Sequence, residues 1–350
     1  MDAILLVGGF GTRLLPLTKI LPKPLIPLAN VPFVERTVGW LRDAGVDHVI
    51  LSLHYNADQF RDYFTERLLG VDLSFAIEEE PLGTGGAIKN CEPYLRSSRC
   101  YIFNGDIFTS LDLRGMLDAH LLANASVSIA MKEVDDPSRY GVIVTDAVGR
   151  IRTFTEKPPR ELAPSRDINA GVYLFEREVF SWFPAGRSSV ERDIFPLFLQ
   201  RGIHLQGYRE PMYWTDLGTP QDYLQAHRDI LAGHVLVPLA YAELSPGIWC
   251  GDDVSIGPAA HLQAPAILGH SVRIHTGALV GPRVVLGDGV RIEEAAVVED
   301  SILWEGVTVR PHSTVSGCII GRFAHVAGEQ NDTLCEDYGN LPAEQFKAAA

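Results

Sequence analysis

The chain has 350 residues, of which 46% are hydrophobic and 21% are charged, and its formal net charge at pH 7 is −14. This length allows two domains, and the composition is that of an ordinary globular protein. The acidic balance argues against a protein that binds nucleic acid, because such proteins present a basic face.

The sequence also lacks the patterns of a membrane or secreted protein. No apolar run reaches the roughly 18 residues that a membrane-spanning helix needs, and the N-terminus lacks the basic and apolar segments of a signal peptide. The five cysteines are scattered and include no CxxC pair. Free thiols in a reducing cytoplasm are therefore expected, rather than a disulfide framework or a zinc site.

Strand-like and helix-like segments alternate over roughly the first two thirds of the chain. The predicted strands are 3–7, 48–53, 73–77 and 101–103. Between the first two, Val34, Val38 and Leu41 share one face of a predicted helix. The alternation predicts an α/β domain with a Rossmann-like mixed, mostly parallel sheet. Ligands bind at the carboxyl ends of strands in such sheets, so the loops after Val7, Ile77 and Phe103 are expected to meet at one site.

A six-residue period begins at Ile248. Every sixth residue from 248 to 302 is apolar, and so is the residue two positions after each of these, ending at Trp304. Hexapeptide repeats of this kind resemble those of left-handed parallel β-helices, in which each hexad forms one strand and one turn. Val307 and Val309 continue the pattern out of phase, which predicts a one-residue slip in register after Trp304.

The two patterns divide the chain into four predicted regions. They are an α/β domain at 1–235, a linker at 236–247, the β-helix at 248–330 and a C-terminal tail at 331–350. Stacked coils form a rigid rod, so the β-helix is expected to mediate homo-oligomerisation. Some hexapeptide proteins are acyltransferases with a catalytic histidine, but the histidines of this region form no recurrent constellation. They are His261, His270, His275 and His312.

A glycine-rich turn, Gly8-Gly9-Phe10-Gly11-Thr12-Arg13, follows the first predicted strand. Such glycines let backbone N–H groups approach phosphate oxygens. Neither the Rossmann fingerprint nor the P-loop motif is present. Arg13 and Lys23 are expected to neutralise charge during phosphoryl transfer, and the prolines beside Lys23 restrict where it points. The alternative is a simple tight turn with two solvated cations.

The segment G-G-x-G-T-R-L-x-P-L-T, followed by P-K-P-L, resembles the signature of the sugar nucleotidyltransferases, also called NDP-sugar pyrophosphorylases. The resemblance continues in seven further segments, which together span nearly all of residues 1–234. They are 79–86, 104–106, 138–143, 154–158, 169–173, 189–193 and 214–218. The mannose-1-phosphate guanylyltransferases are especially similar, and their architecture also places a left-handed β-helix after the nucleotidyltransferase domain.

The resemblance implies a reaction and a metal cofactor. The sugar 1-phosphate, with mannose 1-phosphate favoured, attacks the α-phosphate of a nucleoside triphosphate, with GTP favoured, and pyrophosphate leaves. Mg²⁺ is expected, with Asp106 and Asp216 as its ligands. Asp106 follows a predicted strand at the ligand-binding edge. Asp216 precedes a helix that begins near Thr219, so capping of that helix is an alternative role for it.

The resemblance also implies the residues that bind the nucleotide. They are Val7, Gly8, Gly9, Gly11, Thr12, Arg13, Glu80, Pro81, Gly83, Thr84 and Gly85. The carboxylate of Glu80 can accept from N1–H and the 2-amino group of guanine, although Glu79 could fill this role instead. An exposed acidic run at residues 78–80 is the alternative. Gly83 and Gly85 would let the backbone lie flat against the base.

On the sugar side, the resemblance implies that Lys157 holds the phosphate, that Glu156 and Asn169 bind hydroxyl groups, and that Gly141 offers backbone contacts. Without it, surface salt bridges and a turn would be the simpler interpretations.

Three alternatives for the function stay open at this point. The substrate could be a manno-heptose 1-phosphate, or the enzyme could transfer a uridylyl or thymidylyl group to glucose 1-phosphate. Outside enzymes, the chain could be a regulatory subunit that only binds an NDP-sugar.

Overall fold

The computed structural model describes residues 1–9, 11–54, 57–65, 67 and 69–341, so Phe10 of the glycine-rich turn lies outside the described residues. The chain forms two compact units. The first combines the N-terminal strand with Val34–Asp216, and the second combines Gly11–Phe33 with the described residues from Leu217 onward. Residues 11–33 therefore group with the C-terminal half, which differs from the single α/β domain expected at 1–235.

A mixed sheet forms the centre of the first unit. Four neighbouring strands are parallel, in the order Arg99–Asn104, Asp2–Leu6, His48–Leu53 and Asp72–Ile77. His48–Leu53 is buried at every position, as expected for a strand that is covered on both faces. The predicted Rossmann-like sheet is thereby confirmed.

The other half of this sheet is antiparallel. Asp167–Glu176 pairs with Arg99–Asn104 on one side and with Val127–Glu133 and Gly141–Thr145 on the other. Ile151–Glu156 extends the sheet beyond Gly141–Thr145. The remaining strands of the first unit are Leu205–Arg209, parallel to Val127–Glu133, and the separate pair Ile107–Thr109 and Trp214–Asp216.

Helices connect and cover these strands. The α-helices in the described part of the chain are Phe33–Asp43, Ala57–Thr65, Gly83–Asn90, Leu113–Leu122, Phe195–Gln200 and Pro220–Leu231. Val34, Val38 and Leu41 are buried together on the first helix, which confirms the predicted helical face. None of the helices in the described ranges is long and apolar enough to cross a membrane.

Three parallel sheets form the β-helix in the second unit, one for each side of a coil, with one antiparallel strand at the edge of the first. The first sheet consists of Ala242–Ser245, Ile248–Cys250, Ala266–Leu268, Val284–Leu286, Ile302–Leu303, Ile319–Ile320 and Leu334–Cys335. The second consists of Ser255–Ile256, Arg273–Ile274, Arg291–Ile292, Thr308–Val309, His325–Val326 and Asn340–Leu341. The third consists of His261–Leu262, Leu279–Val280, Val297–Glu299, Thr314–Ser316 and Glu329–Asn331. Apolar side chains from every side fill the interior, as expected for a left-handed parallel β-helix.

The structure corrects two details of the predicted β-helix. Strands occur at Ala242–Ser245 and at Leu334–Cys335 and Asn340–Leu341, so the linker is shorter than 236–247 and the coils run past residue 330. The register slip lies before residue 302, not after Trp304, because Val285 already pairs with Ile302, 17 residues away, whereas Ala266 pairs with Val284 at 18.

Candidate active site

The glycine-rich turn begins at the carboxyl end of the strand Asp2–Leu6. The N–H group of Val7 donates to the Ser52 carbonyl at 3.0 Å. A Cβ atom at Gly8 would lie 3.0 Å from the backbone nitrogen of His54, whereas one at Gly9 would have nothing within 4 Å. Gly8 is therefore needed for packing, while Gly9 faces open space that a ligand can occupy.

Asp106 lies next to the end of this first strand. The N–H group of Gly105 donates to the Leu6 carbonyl at 3.0 Å, and a Cβ atom at Gly105 would collide with that carbonyl oxygen. Only glycine fits at this contact. The carboxylate of Asp106 is consequently held at the same sheet edge as Val7, as the sequence predicted for loops that follow parallel strands.

Asp216 is brought beside Asp106 by a short strand pair. In the register of Trp214–Asp216 with Ile107–Thr109, Asp216 pairs with Ile107, the residue that follows Asp106. The helix beginning at Pro220 is capped by Thr219, whose Oγ1 accepts from the N–H of Asp222 at 3.2 Å. Helix capping, the alternative considered for Asp216, is therefore performed by another residue.

The carboxylates of Asp106 and Asp216 are the donor type that suits a magnesium ion shared with phosphate oxygens. Mg²⁺ commonly takes one or two protein carboxylates and completes its coordination with water and substrate phosphates. Within the described residues, no group of three or more His, Cys, Asp or Glu side chains is placed to hold a metal. Two carboxylate donors suit an ion that completes its coordination with nucleotide phosphates.

Asn104 precedes these residues, and no role was predicted for it. Its amide oxygen is buried and, among the described residues, has no hydrogen-bond partner. A Cβ atom at Gly171, whose φ is +74°, would lie 2.9 Å from the Asn104 amide nitrogen. An unsatisfied buried acceptor is costly, so the Asn104 amide oxygen beside Asp106 is a further sign of the predicted binding site. Asn104 lies in the family-like segment 104–106, but sequence alone implied no role of its own for it.

The three consecutive glutamates at 78–80 have different environments. Glu78 is buried, and its carboxylate accepts from the Ser52 hydroxyl at 3.0 Å and from the Leu82 N–H at 2.9 Å. Glu79 and Glu80 are exposed. The interpretation of an exposed acidic run is therefore wrong for Glu78, which stabilises the loop, while Glu80 remains accessible to a ligand.

The glycines that follow form the first turn of the helix Gly83–Asn90. The Ser188 carbonyl accepts from the N–H of Gly85 at 2.9 Å, and a Cβ atom at Gly85 would lie 2.7 Å from Ser188 Oγ. Gly85 is buried by this contact, which differs from the expectation that it lies against a base. Gly83 and Pro81 are exposed, and Gly83 has a φ of +68° that favours glycine.

Thr84, on the same turn, is fixed by a residue to which no role was assigned. Thr84 Oγ1 donates to Glu191 Oε2 at 2.8 Å and accepts from the Val190 N–H at 2.9 Å. Ser189 Oγ also donates to Glu191 Oε2, at 2.7 Å. Glu191 belongs to the family-like segment 189–193, so a signal was present, but only the fold shows that it contacts the nucleotide side of the candidate site.

Glu156 and Lys157 lie at the end of a strand that pairs with Gly141. Glu156 is paired with Gly141 in the antiparallel register, and the Lys157 N–H donates to the Tyr140 carbonyl at 3.0 Å. The Lys157 Nζ atom is 3.5 Å from Glu156 Oε1. A Cβ atom at Gly141 would collide with the ring of Phe154, so glycine is required there. The structure thus brings three of the predicted sugar-side residues together.

Burial raises the pKa of Glu156, and the negative charge of Glu191 raises it further, while the Lys157 ammonium acts in the opposite direction. Carboxylates with raised pKa values are common at functional sites, because both burial and like charges are arranged there for binding or catalysis.

Asn169 is 9% exposed and makes hydrogen bonds within the protein. Its Nδ2 donates to the Tyr173 hydroxyl at 2.9 Å, and its Oδ1 accepts from the Gly171 N–H at 2.9 Å. Asn169 lies inside the strand Asp167–Glu176 and pairs with Met131, so the turn role considered from sequence is wrong. Trp214 contacts the same strand, since its Nε1 donates to the Ala170 carbonyl at 2.9 Å.

In the second unit, Gly11 and Lys23 are in direct contact. Gly11 has a φ of +61°, and a Cβ atom there would lie 2.9 Å from the Cβ atom of Lys23. The hydroxyl of Thr18 donates to the Gly11 carbonyl at 2.8 Å. Lys23 is 8% exposed, so its stem is packed and its direction is restricted, as the neighbouring prolines predicted.

Arg13 and Thr12 are exposed on the short 3₁₀ turn Thr12–Leu14. The guanidinium group of Arg13 occupies the space over Gly218, where a Cβ atom would lie 2.7 Å from each terminal nitrogen. Gly218 ends the family-like segment 214–218. Because it has no side chain, it leaves space for the guanidinium group of Arg13.

The chain is similar to known proteins over most of its length. A model of the nucleotidyl transferase family matches residues 2–233, and a model of the GMPPB C-terminal domain matches residues 262–331. The mannose-1-phosphate guanylyltransferase of Mycobacterium tuberculosis is 36% identical over 325 residues, which is 92% of this chain and 83% of that protein. The UTP–glucose-1-phosphate uridylyltransferase of Synechocystis sp. is 30% identical over 342 residues, 92% of this chain and 88% of that protein.

Among solved structures, HddC from Yersinia pseudotuberculosis complexed with GMP-PN is similar to the chain. The sequences are 34% identical and the TM-score is 0.56, with 64% of this chain and 97% of that chain covered.

Proposed function

The chain belongs to the nucleotidyl transferase family, and on this basis we propose that it transfers the guanylyl group of GTP to mannose 1-phosphate, giving GDP-mannose and pyrophosphate. The mannose-1-phosphate guanylyltransferase of M. tuberculosis is 36% identical, and the uridylyltransferase of Synechocystis is 30% identical. A solved relative at 34% identity is complexed with GMP-PN. Glu80 supports a guanine nucleotide, because its exposed carboxylate can accept the two donors on that base.

One observation carries this proposal: the pairing of Asp216 with Ile107, which brings the backbone of Asp216 next to the residue that follows Asp106, at the edge where the glycine-rich turn begins. Enzymes of the family generally use a divalent metal, and we propose that Asp106 and Asp216 hold Mg²⁺ here. When bound, the ion supplies charge neutralisation at the phosphate oxygens.

The proposed chemistry is a single in-line displacement. A phosphate oxygen of mannose 1-phosphate attacks the α-phosphorus of GTP, and the bond from that phosphorus to the bridging oxygen of the pyrophosphate breaks. No protein nucleophile takes part. Lys157 orients the attacking phosphate, Glu156 accepts from sugar hydroxyls, and Arg13 and Lys23 neutralise the charge of the triphosphate.

A pyrophosphate-release assay with purified protein tests this function. GTP, UTP, dTTP and ATP are each combined with mannose 1-phosphate, glucose 1-phosphate and a manno-heptose 1-phosphate. Fastest release from GTP with mannose 1-phosphate is expected. Tight binding of GDP-mannose without release from any pair would instead identify a regulatory subunit, and preference for another pair would identify a different substrate.

We further propose that the protein works in the cytoplasm as a homo-oligomer that associates through the β-helix. The five cysteines are all unpaired, which is consistent with a reducing compartment. Light scattering on the intact chain and on Leu279→Glu, a change to an exposed apolar side chain of the β-helix, would test the association.

A further inference from the structure

A two-residue hairpin follows Lys23 in the second unit. Pro27–Leu28 and Val31–Pro32 pair in antiparallel fashion, and the two residues between them, Ala29 and Asn30, have φ values of 49° and 62°. This pair of left-handed residues is the turn geometry that matches the twist of a hairpin. Alanine is unfavourable in it because of its Cβ atom, so contacts from outside the turn must hold Ala29 in place.

The helix Pro220–Leu231 supplies two of those contacts. The N–H group of Ala29 donates to His227 Nε2 at 3.1 Å, which leaves His227 Nδ1 to donate to the Tyr223 carbonyl at 2.9 Å. The hydroxyl of Tyr223 donates to the Pro27 carbonyl. Tyr223 is 0% exposed and His227 is 2% exposed, so both hydrogen bonds are shielded from water.

The β-helix supplies two further contacts. The Asn30 side-chain amide donates to the Leu286 carbonyl at 2.7 Å, on the first sheet of the β-helix. Trp304, which follows the next strand of the same sheet, donates from Nε1 to the Tyr223 hydroxyl at 3.1 Å. A continuous chain of hydrogen bonds therefore runs from Trp304 through Tyr223 to the hairpin.

The hairpin in turn adjoins the phosphate-binding candidates. The N–H of Phe33 donates to the Ile26 carbonyl at 3.0 Å, and the Ile26 N–H donates to the Lys23 carbonyl at 3.2 Å. Lys23 itself packs against Gly11. A shift of the hairpin would consequently be passed to Lys23 and to the turn that contains Gly11.

We propose that the β-helix is a positioning element for nucleotide binding. Through Trp304 and Tyr223, and through Leu286 and Asn30, it fixes the hairpin and thereby sets Lys23 beside Gly11. The inference rests on the proposed function, because it takes Lys23 to be a ligand of the triphosphate. Tyr223, Asn30 and Trp304 are positioning residues, since they act through the hairpin.

Three conservative variants test the inference. Tyr223→Phe removes the donor to Pro27, Asn30→Asp places a carboxylate against the Leu286 carbonyl, and Asn30→Gly keeps the left-handed turn but loses the amide. The expected KM for GTP rises about tenfold in Tyr223→Phe and in Asn30→Asp, and less in Asn30→Gly. The KM for mannose 1-phosphate should stay within about twofold, because the sugar-side residues make none of these contacts.

Trp249→Phe is the control, since it alters an aromatic residue on the same sheet as Leu286, three coils before Trp304, that takes no part in the contacts with the hairpin. Its KM for GTP should equal that of the unmodified protein. Thermal unfolding of each variant shows that a raised KM does not come from loss of the fold.

Amide hydrogen exchange of residues 23–33 provides a readout that does not depend on activity. Exchange should be faster in Tyr223→Phe and Asn30→Asp than in Trp249→Phe. If the unmodified protein releases no pyrophosphate from any substrate pair, the proposed function fails. Amide hydrogen exchange would still show whether these hydrogen bonds hold the hairpin in place. In an active protein, either an unchanged KM for GTP or unchanged exchange in both variants overturns the inference.

Discussion

The guanidinium group of Arg13 occupies the space where a side chain at Gly218 would begin, 2.7 Å from either terminal nitrogen. The two residues are more than two hundred positions apart in the chain, yet a side chain at position 218 would overlap with the guanidinium group of Arg13. Gly218 lies outside the left-handed region of φ, so alanine is compatible with its backbone and affects only the space available to Arg13.

Gly218→Ala is therefore expected to displace Arg13 and to lower kcat/KM for GTP by about 10- to 100-fold, because a positioned cation no longer meets the triphosphate. Pyrophosphate release measures the change. Gly39→Ala is the control, since a Cβ atom at Gly39 meets nothing within 4 Å. That variant should keep full activity and gain about 1 kcal/mol of stability from helix propensity. Equal activity of the two variants would contradict the role of Arg13.

Asp106→Asn should abolish turnover while the fold persists, because the amide is a much weaker ligand for a hard cation than the carboxylate. A loss of at least about 1000-fold in kcat is expected, with a melting temperature close to that of the unmodified protein. Asp58→Asn changes an exposed carboxylate on the helix Ala57–Thr65 and should leave turnover intact. Near-normal pyrophosphate release by Asp106→Asn would remove this residue from the active site.

Substitutions of Glu78 and Glu80 should have different effects, the first on stability and the second on base specificity. Glu78→Gln loses the charge-assisted hydrogen bond from Leu82 and should reduce the free energy of unfolding by about 1–3 kcal/mol, as measured by urea denaturation. Glu80→Gln changes an exposed side chain and should leave the unfolding midpoint unchanged. It should instead reduce the preference for GTP over UTP by about tenfold or more. A stability loss in Glu80→Gln with unaltered base preference would assign Glu80 to the fold.

Substitution of Glu156 should increase stability and decrease activity. Its pKa is raised in the folded state by burial, so its ionised form is disfavoured there. The folded protein binds this proton more tightly than the unfolded chain does, and stability falls as pH rises through the raised pKa. Glu156→Gln removes that cost. The variant should equal the unmodified protein in stability at acid pH and exceed it above the raised pKa, with kcat/KM for mannose 1-phosphate lowered about 10- to 100-fold.

Glu191→Gln offers a check on the same carboxylate. The amide can still accept from Thr84, but the negative charge that helps to raise the pKa of Glu156 is gone. The acid limb of kcat/KM for mannose 1-phosphate should therefore move to lower pH. An unchanged acid limb would show that another group controls it.

The architecture was predictable because it rests on periodic burial. Apolar runs of strand length and a six-residue repeat are direct consequences of how sheets and coils bury side chains. The family resemblance, now confirmed, also supplied Asp106 and Asp216, which no spacing rule could have chosen from 44 acidic residues.

Other features depended on contacts between distant segments. Leu303 and Trp304 are both apolar, so the pattern could not reveal that Leu303 fills the interior while Trp304 contacts Tyr223. The three glutamates at 78–80 look equivalent in sequence, and only the hydroxyl of Ser52 and the N–H of Leu82 single out Glu78. No local signal indicated that residues 11–33 group with the C-terminal half.

That grouping limits how the protein can be dissected or recombined. A chimera that joins the first 235 residues to a foreign C-terminal module would remove the cover from Tyr223, which is 0% exposed in the intact chain, and the acceptor of Asn30. The natural unit of exchange between relatives is therefore the β-helix together with its hairpin and the helix Pro220–Leu231, not either half of the sequence alone.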